Sequence, residues 1–210
     1  MGGQERKLMV RVRHLAVMAV ISASTILAGT AQAYAFTPGG IARNGTQAQN
    51  RPGLFLTGRR ETIPPFAFAK FCLQESDQCR AQGTETNVEL TKEKRALLQR
   101  INSEINTKIA YSEDNGADDD WKINVIQGDC EDYALTKRQQ LLKAGWPSGA
   151  LRIATGRLEN GVGHAVLIVS TTKGDLVLDN RTNVVKPWIA TQLRWVKIQS
   201  PDDPNKWLSL

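Results

Sequence analysis

Gly128-Asp129-Cys130-Glu131-Asp132-Tyr133-Ala134-Leu135 sets a cysteine among three carboxylates where a loop passes into a helix. Asp129 belongs to a residue type that caps free backbone N–H groups, and the helix it opens runs to Ala144, where Gly145 stops it and Pro147 follows. Cys130 therefore falls in the first turn. Downstream, Leu151 to Leu158, His164 to Thr171 and Leu176 to Asp179 are rich in β-branched and apolar residues, and Thr172-Lys173-Gly174-Asp175 between the last two is a hairpin signal. One more strand is expected across Leu193 to Gln199, followed by an irregular tail from Pro201-Asp202-Asp203-Pro204. Upstream, Leu97, Ile101, Ile105 and Ile109 recur every four residues in a run that begins near Thr91, which predicts an amphipathic helix packed on a core. Tyr111 to Trp121 reads as a solvated loop carrying Asp118-Asp119-Asp120. Helices first and strands after predict an α+β fold with an antiparallel sheet.

The chain of 210 residues is long enough for one domain with a substantial core. Its start, Arg6-Lys7-Leu8-Met9-Val10-Arg11-Val12-Arg13-His14, an apolar run from Leu15 to Ala28, then Ala31-Gln32-Ala33, has the order of a secretory signal peptide, with cleavage expected after Ala33. The apolar run is shorter than the roughly 20 residues that span a bilayer and contains Ser22, Ser24 and Thr25, so a membrane anchor is the weaker reading. Residues 1–33 are thus assigned to a signal peptide and 34–60 to an irregular arm rich in Gly, Asn, Gln, Arg and Pro; one domain covers 61–210. Loss of Arg6, Lys7, Arg11, Arg13 and Glu5 lowers the formal charge from +6 to +3. With no basic stripe interleaved with aromatics, this gives little support to a nucleic-acid partner.

In an exported chain Cys72 and Cys79 are expected to form a disulfide. Closing so small a loop stabilises by about 2.5 kcal/mol on the chain-entropy model. Cys130 is then the odd thiol, which is either buried and inert, bonded between chains, or reactive. A helix N-terminus favours a thiolate, which supports the reactive reading. Cleavage would also remove His14 and leave His164 as the sole imidazole. His164 opens a strand after Asn160-Gly161-Val162-Gly163, and the hairpin returns Asp179 beside it. A lone histidine is more often a satisfied core residue, yet a carboxylate beside the ring is what a base needs for orientation, so Cys130, His164 and Asp179 are the candidate catalytic triad.

These residues resemble a known family. Gly-Asp-Cys-Glu-Asp-Tyr-Ala-Leu, Gly-His-Ala-Val-Leu and Leu178-Asp179-Asn180 are similar to the bacterial transglutaminase-like cysteine peptidases of the LapG type. The likeness runs from about Leu90 to Trp195 and includes Ile101-Asn102, Ile105-Asn106, Tyr111, Trp121 and Lys137-Arg138. It implies a papain-like or transglutaminase-like core with Cys130 as nucleophile, His164 as base and acid, and Asp179 as orienting carboxylate. It further implies a periplasmic, calcium-dependent endopeptidase acting on a protein substrate, an outer-membrane adhesin, to release biofilm cells under an inner-membrane receptor. The same triad also serves transglutaminase-like transfer or hydrolysis of a peptidoglycan amide, and the fold can persist in a non-catalytic binding protein.

Asp129, Glu131 and Asp132 oppose formation of a thiolate. One carboxylate about 6 Å away, at an effective dielectric near 20, costs on the order of 3 kcal/mol. A cation would reverse that sign, and the oxygens of Asp129 and Glu131 suit calcium, the positions to which the resemblance also points. Alternatively these acids cap the helix and face solvent. The Cys130 N–H can serve an oxyanion hole, with Gln127 or Trp121 as candidate second donor.

Overall fold

The computed structural model describes residues 53–114 and 119–210, and the predicted signal peptide lies outside them. In chain order the elements are β1 (Glu61–Thr62), α1 (Phe66–Gln74), α2 (Lys92–Lys108), β2 (Ala110–Tyr111), β3 (Gln127–Gly128), α3 (Cys130–Lys143), β4 (Leu151–Arg157), β5 (Gly163–Thr171), β6 (Gly174–Leu178), β7 (Lys186–Pro187), β8 (Arg194–Gln199) and β9 (Trp207–Ser209). The expected hairpin joins β5 to β6 with Leu167 opposite Leu178 and Thr171 opposite Gly174. Gly174 is needed there because its φ is +122° and a Cβ would press on the Leu54 carbonyl. The main sheet has the order β1-β9-β8-β4-β5-β6-β7 and is antiparallel throughout, so the α+β class is as the sequence indicates.

Side chains alternate across β5 with a period of two. Leu167 and Val169 join a cluster with Phe68, Leu98, Ile101 and Leu135, whereas Val166 and Ile168 join a second cluster with Leu56, Val177 and Ile198. Both faces of the strand are covered, which accounts for its continuous apolar run. Leu56, in the predicted arm, is 5% exposed, and its N–H donates to Asp175 Oδ2 at 2.8 Å. The residues just before β1 are therefore irregular, as their composition indicates, but anchored to the sheet.

The tail is irregular over residues 201–204 as expected and then adds a strand. Trp207 is fully buried, and β9 pairs with both β8 and β1. A three-residue strand carries too little periodicity to be read from sequence.

In α2, Thr91 caps the helix by accepting from the Lys94 N–H at 3.3 Å. Its deepest residues are Leu98, Ile101, Asn102 and Ile105, with Leu97 only half-buried. A strict four-residue spacing drifts around a helix of 3.6 residues per turn, and this moves the buried stripe from Leu97 to Leu98. Helix α3 is central: even Thr136, Lys137, Arg138 and Gln139 are buried. Arg138 holds it in place, donating from Nε to the Leu151 carbonyl at 2.9 Å and from Nη1 to the Gln78 carbonyl at 2.6 Å. Gln78 lies in the loop closed by the Cys72–Cys79 disulfide. No described helix is long and apolar enough to cross a membrane.

Candidate active site

Cys130 is the first residue of α3 and is half-buried. The helix begins abruptly because Asp132 folds back over Gly128, where any Cβ would collide with the Asp132 carboxylate. Asp132 Oδ1 accepts from the Lys122 N–H at 2.7 Å, which ties the preceding loop to the first turn. One expectation fails here: Asp129 occupies the N-cap position but its side chain caps nothing. Its Oδ2 instead reaches the Asp114 N–H at 3.5 Å, and its Oδ1 is buried with no partner among the described residues.

The Cys130 sulfur has two neighbours. Sγ accepts from the Ala165 N–H at 3.3 Å and can donate to Glu131 Oε2 at 3.4 Å. Burial, and after it the charge of Glu131, pushes the thiol well above the ordinary cysteine range, against the smaller pull of the Ala165 N–H. The opposition expected of the neighbouring acids is thus a matter of direct contact.

Ala165 is the residue after His164, so the hydrogen bond to Sγ brings the start of α3 to the start of β5. His164 is 7% exposed, and its Nε2 lies 2.9 Å from Asp179 Oδ1. The same Oδ1 accepts from the Arg181 N–H at 2.9 Å. Burial alone would raise the Asp179 carboxyl, but the His164 hydrogen bond and charge, with Arg181, outweigh it and hold Asp179 below the usual range. Asn106 of α2 donates to the Asp179 carbonyl at 3.0 Å and to the Thr182 carbonyl at 3.1 Å, clamping the segment after β6.

The acids form a larger group than the sequence indicates. Carboxylate oxygens of Asp114, Asp119 and Glu131 lie within 4.8 Å of one another, and a second group of the same span joins Asp129, Cys130 and Glu131. Asp119 is exposed, as its place in a solvated run indicates, but the Trp121 Nε1–H donates to its Oδ1 at 2.8 Å, and Trp121 packs edge-on against Phe68. Asp120 pairs with Lys70 and Lys122. Glu131 is 4% exposed, and its Oε1 is a buried oxygen with no partner among the described residues. Burial and then the neighbouring Asp129 carboxylate push the Glu131 carboxyl up to about 9. Burial likewise carries Asp132 up to about 6. Orphaned anionic oxygens in a shared, partly buried group are a donor set that fits a hard divalent cation.

Two cavities meet at the thiol. One, of about 770 Å³, is lined by Tyr111, Asp129, Cys130, Val162, His164 and Asn180 among others. The other, of about 410 Å³, takes Trp121, Glu131, Gly156 and Ala165 and shares Cys130 and His164 with the first. Of the two candidate oxyanion donors, Trp121 has its indole N–H engaged by Asp119, and Gln127 lines a third cavity beside Gly128 and Asp132.

Residues 58–210 match the family model described as bacterial transglutaminase-like cysteine proteinase. Among solved structures, Legionella pneumophila LapG is similar in a calcium-bound form (25% identity over 68% of this chain and 77% of that one, TM-score 0.48) and in an EGTA-treated form (25%, 68%, 75% and 0.48). A third LapG structure gives 25%, 68%, 77% and 0.47. No curated protein matches the chain.

Proposed function

We propose, for a chain that belongs to the bacterial transglutaminase-like cysteine proteinase family and is a cysteine peptidase, that Cys130, His164 and Asp179 are its catalytic triad and that it is an endopeptidase. The observation that carries this is the joint placement of the two halves: His164 Nε2 is held by Asp179 at 2.9 Å while the next N–H along β5 touches the Cys130 sulfur at 3.3 Å. With Nε2 engaged, Nδ1 is the nitrogen left to take the thiol proton. The thiolate attacks the carbonyl carbon of the scissile peptide, and His164 returns the proton to the departing amine as the C–N bond breaks, leaving a thioester. Water, deprotonated by His164, then attacks the thioester, releasing the acid and the thiol. The Cys130 backbone N–H is the oxyanion donor at the helix start. Cavities on both sides of the Cys130–His164 pair support an extended chain crossing the site, in keeping with a protein substrate.

Calcium is the proposed cation, with Asp129 and Glu131 as ligands and Asp114 and Asp119 completing the anionic set. Bound there, calcium supplies positive charge that offsets the carboxylates crowding the thiol. The N-terminal sequence pattern supports export to the periplasm through a signal peptide over residues 1–33. The family likeness supports an outer-membrane adhesin as substrate and an inner-membrane receptor as regulator.

A thiol-directed alkylating probe tests the triad without a known substrate. Labelling of Cys130 that drops sharply in His164→Ala supports it, and labelling indifferent to His164 removes it. Incubation of the exported protein with purified surface adhesin, and separately with cell wall, distinguishes endopeptidase action from amide hydrolysis on peptidoglycan.

A further inference from the structure

The β4–β5 hairpin that carries His164 holds three glycines, and two of them have a reason in the fold. Gly161 has a φ of +86°, in the left-handed region that its turn requires. At Gly156 a Cβ would stand 3.0 Å from the Arg194 carbonyl oxygen of β8, so the close approach of that strand asks for glycine. Gly163 has neither reason. Its φ lies outside the left-handed region and an added Cβ would meet no atom within 4 Å, yet it opens β5, where glycine is a poor strand former. A glycine in a strand that the fold does not need marks a place where another backbone comes close.

The edge of β5 shows where that backbone would lie. On the β4 side the Leu158 N–H donates to the Val162 carbonyl at 2.9 Å, whereas the Ala165 N–H donates to Cys130 Sγ at 3.3 Å on the other side. Backbone groups alternate along a strand, so Gly163, two residues from Ala165, also turns its N–H and carbonyl away from β4. Strand β6 stops short of it. The β5–β6 ladder ends with Leu167 opposite Leu178, and the chain then turns at Asn180 and Arg181, with the Arg181 N–H closing onto Asp179 Oδ1 at 2.9 Å. Among the described residues no strand pairs with β5 on this edge at Gly163. Gly163 is exposed and lines both of the cavities that meet at Cys130. Its missing side chain belongs to the face it shares with Leu167, the face whose cluster includes Leu135 of α3, so any side chain there would stand on the side from which the nucleophile approaches.

We propose that Gly163 is the main-chain recognition point of the peptidase. An extended polypeptide segment adds to the free edge of β5 and pairs its backbone with the Gly163 N–H and carbonyl, about 7 Å along the strand from the Ala165 N–H that touches the sulfur. The absent side chain leaves room for it. This rests on the triad reading. The substrate class is then an unfolded or linker stretch of a protein held by its own amides, rather than a glutamine side chain or an isolated cross-link, neither of which presents a strand to the edge.

The test compares two thiol reagents on the full exported chain: a mixed-sequence pool of N-acetyl tripeptidyl chloromethyl ketones, which offer a backbone, and iodoacetamide, which does not. The readout is the ratio of their Cys130 labelling rates, pool over iodoacetamide. Gly163→Val should lower that ratio about tenfold, the weight of roughly one backbone hydrogen bond. N-methylation of the pool's backbone amides should lower it to a similar degree in the parent protein and add little further in Gly163→Val, because the same pairing is already lost. Gly163→Ala should move the ratio in the same direction, and serves should the valine variant misfold; its thermal unfolding midpoint should be unchanged or raised, since the φ at this position suits alanine. A ratio that Gly163→Val leaves unchanged, or an N-methylated pool that labels the parent as fast as the plain one, overturns the proposal. A midpoint lowered by Gly163→Ala also overturns it and returns the glycine to the fold. His164→Ala in parallel separates the failures: iodoacetamide labelling indifferent to His164 sinks the triad, whereas a His164 effect with an unchanged Gly163 ratio sinks only this inference.

Discussion

The two halves of the site are built to different standards. Around His164 the orienting contacts are in place: Asp179 Oδ1 holds both the ring and the Arg181 N–H, and Asn106 fixes the Asp179 backbone. At the start of α3 the reverse holds, with buried oxygens of Asp129 and Glu131 unpaired among the described residues and the thiol pushed upward by burial and Glu131. The imidazole half is organised by the chain alone. The thiol half is short of positive charge, and the contrast locates where regulation by a cation has room to act.

Removing the thiol should have the largest effect. Cys130→Ala is expected to lower turnover of a protein substrate by on the order of 10⁴-fold or more, read in single-turnover cleavage, with thermal stability little changed. Next, Asp179→Ala should cost about 10³-fold in turnover while leaving any calcium response of the thiol intact, since it damages only the imidazole half. A calcium response lost along with Asp179 would show that the halves are not separate.

Smaller effects probe the acidic half. Above pH 9 and in the absence of calcium, where the Glu131 carboxylate is charged, Glu131→Gln should speed Cys130 alkylation about tenfold by removing the nearest negative charge, and it should abolish the acceleration that calcium gives the parent protein. An unchanged rate in that variant would mean that Glu131 neither repels the thiolate nor binds the cation. Smallest is the pH dependence of stability without calcium. The Glu131 carboxyl is raised from 4.5 to about 9, so between those values the folded state holds a proton that the unfolded state has lost. Stability should therefore fall as pH rises through that window, and calcium or Glu131→Gln should flatten the slope, measured by thermal unfolding. A calcium-free slope of the opposite sign would contradict the burial-driven shift.

Local chemistry carried most of what the sequence disclosed. A cysteine after Gly-Asp at a helix start, a histidine opening an apolar strand and a four-residue turn leading back to an aspartate are all short-range patterns, and the structure brings these three side chains to one corner. Long-range packing was not legible. Asp119 is exposed, as one of a solvated acidic run should be, but its place beside Glu131, held by the indole N–H of a Trp121 buried against Phe68, depends on packing that no local pattern shows. Strand β9 and the anchoring of Leu56 depend on partners at the far end of the chain. The uncapped side chain of Asp129 also escaped a propensity rule, because the same oxygen that suits an N-cap serves here in a cluster of acids.

The short parallel ladder of β2 and β3 pairs Ala110 with Gln127 and Tyr111 with Gly128, and the Ser112 N–H closes onto the Gly128 carbonyl at 2.9 Å. The loop bearing Asp114 and Asp119 is thus bounded on one side by this stitch and on the other by the buried Trp121 and the Lys122 N–H on Asp132. Changing the length of that excursion costs little in loop-closure entropy, roughly 0.6 kcal/mol per doubling, and leaves the entry to α3 where it was. An evolving lineage can therefore rewrite the loop bearing Asp114 and Asp119, and with it the appetite for metal, without disturbing the register of the nucleophile.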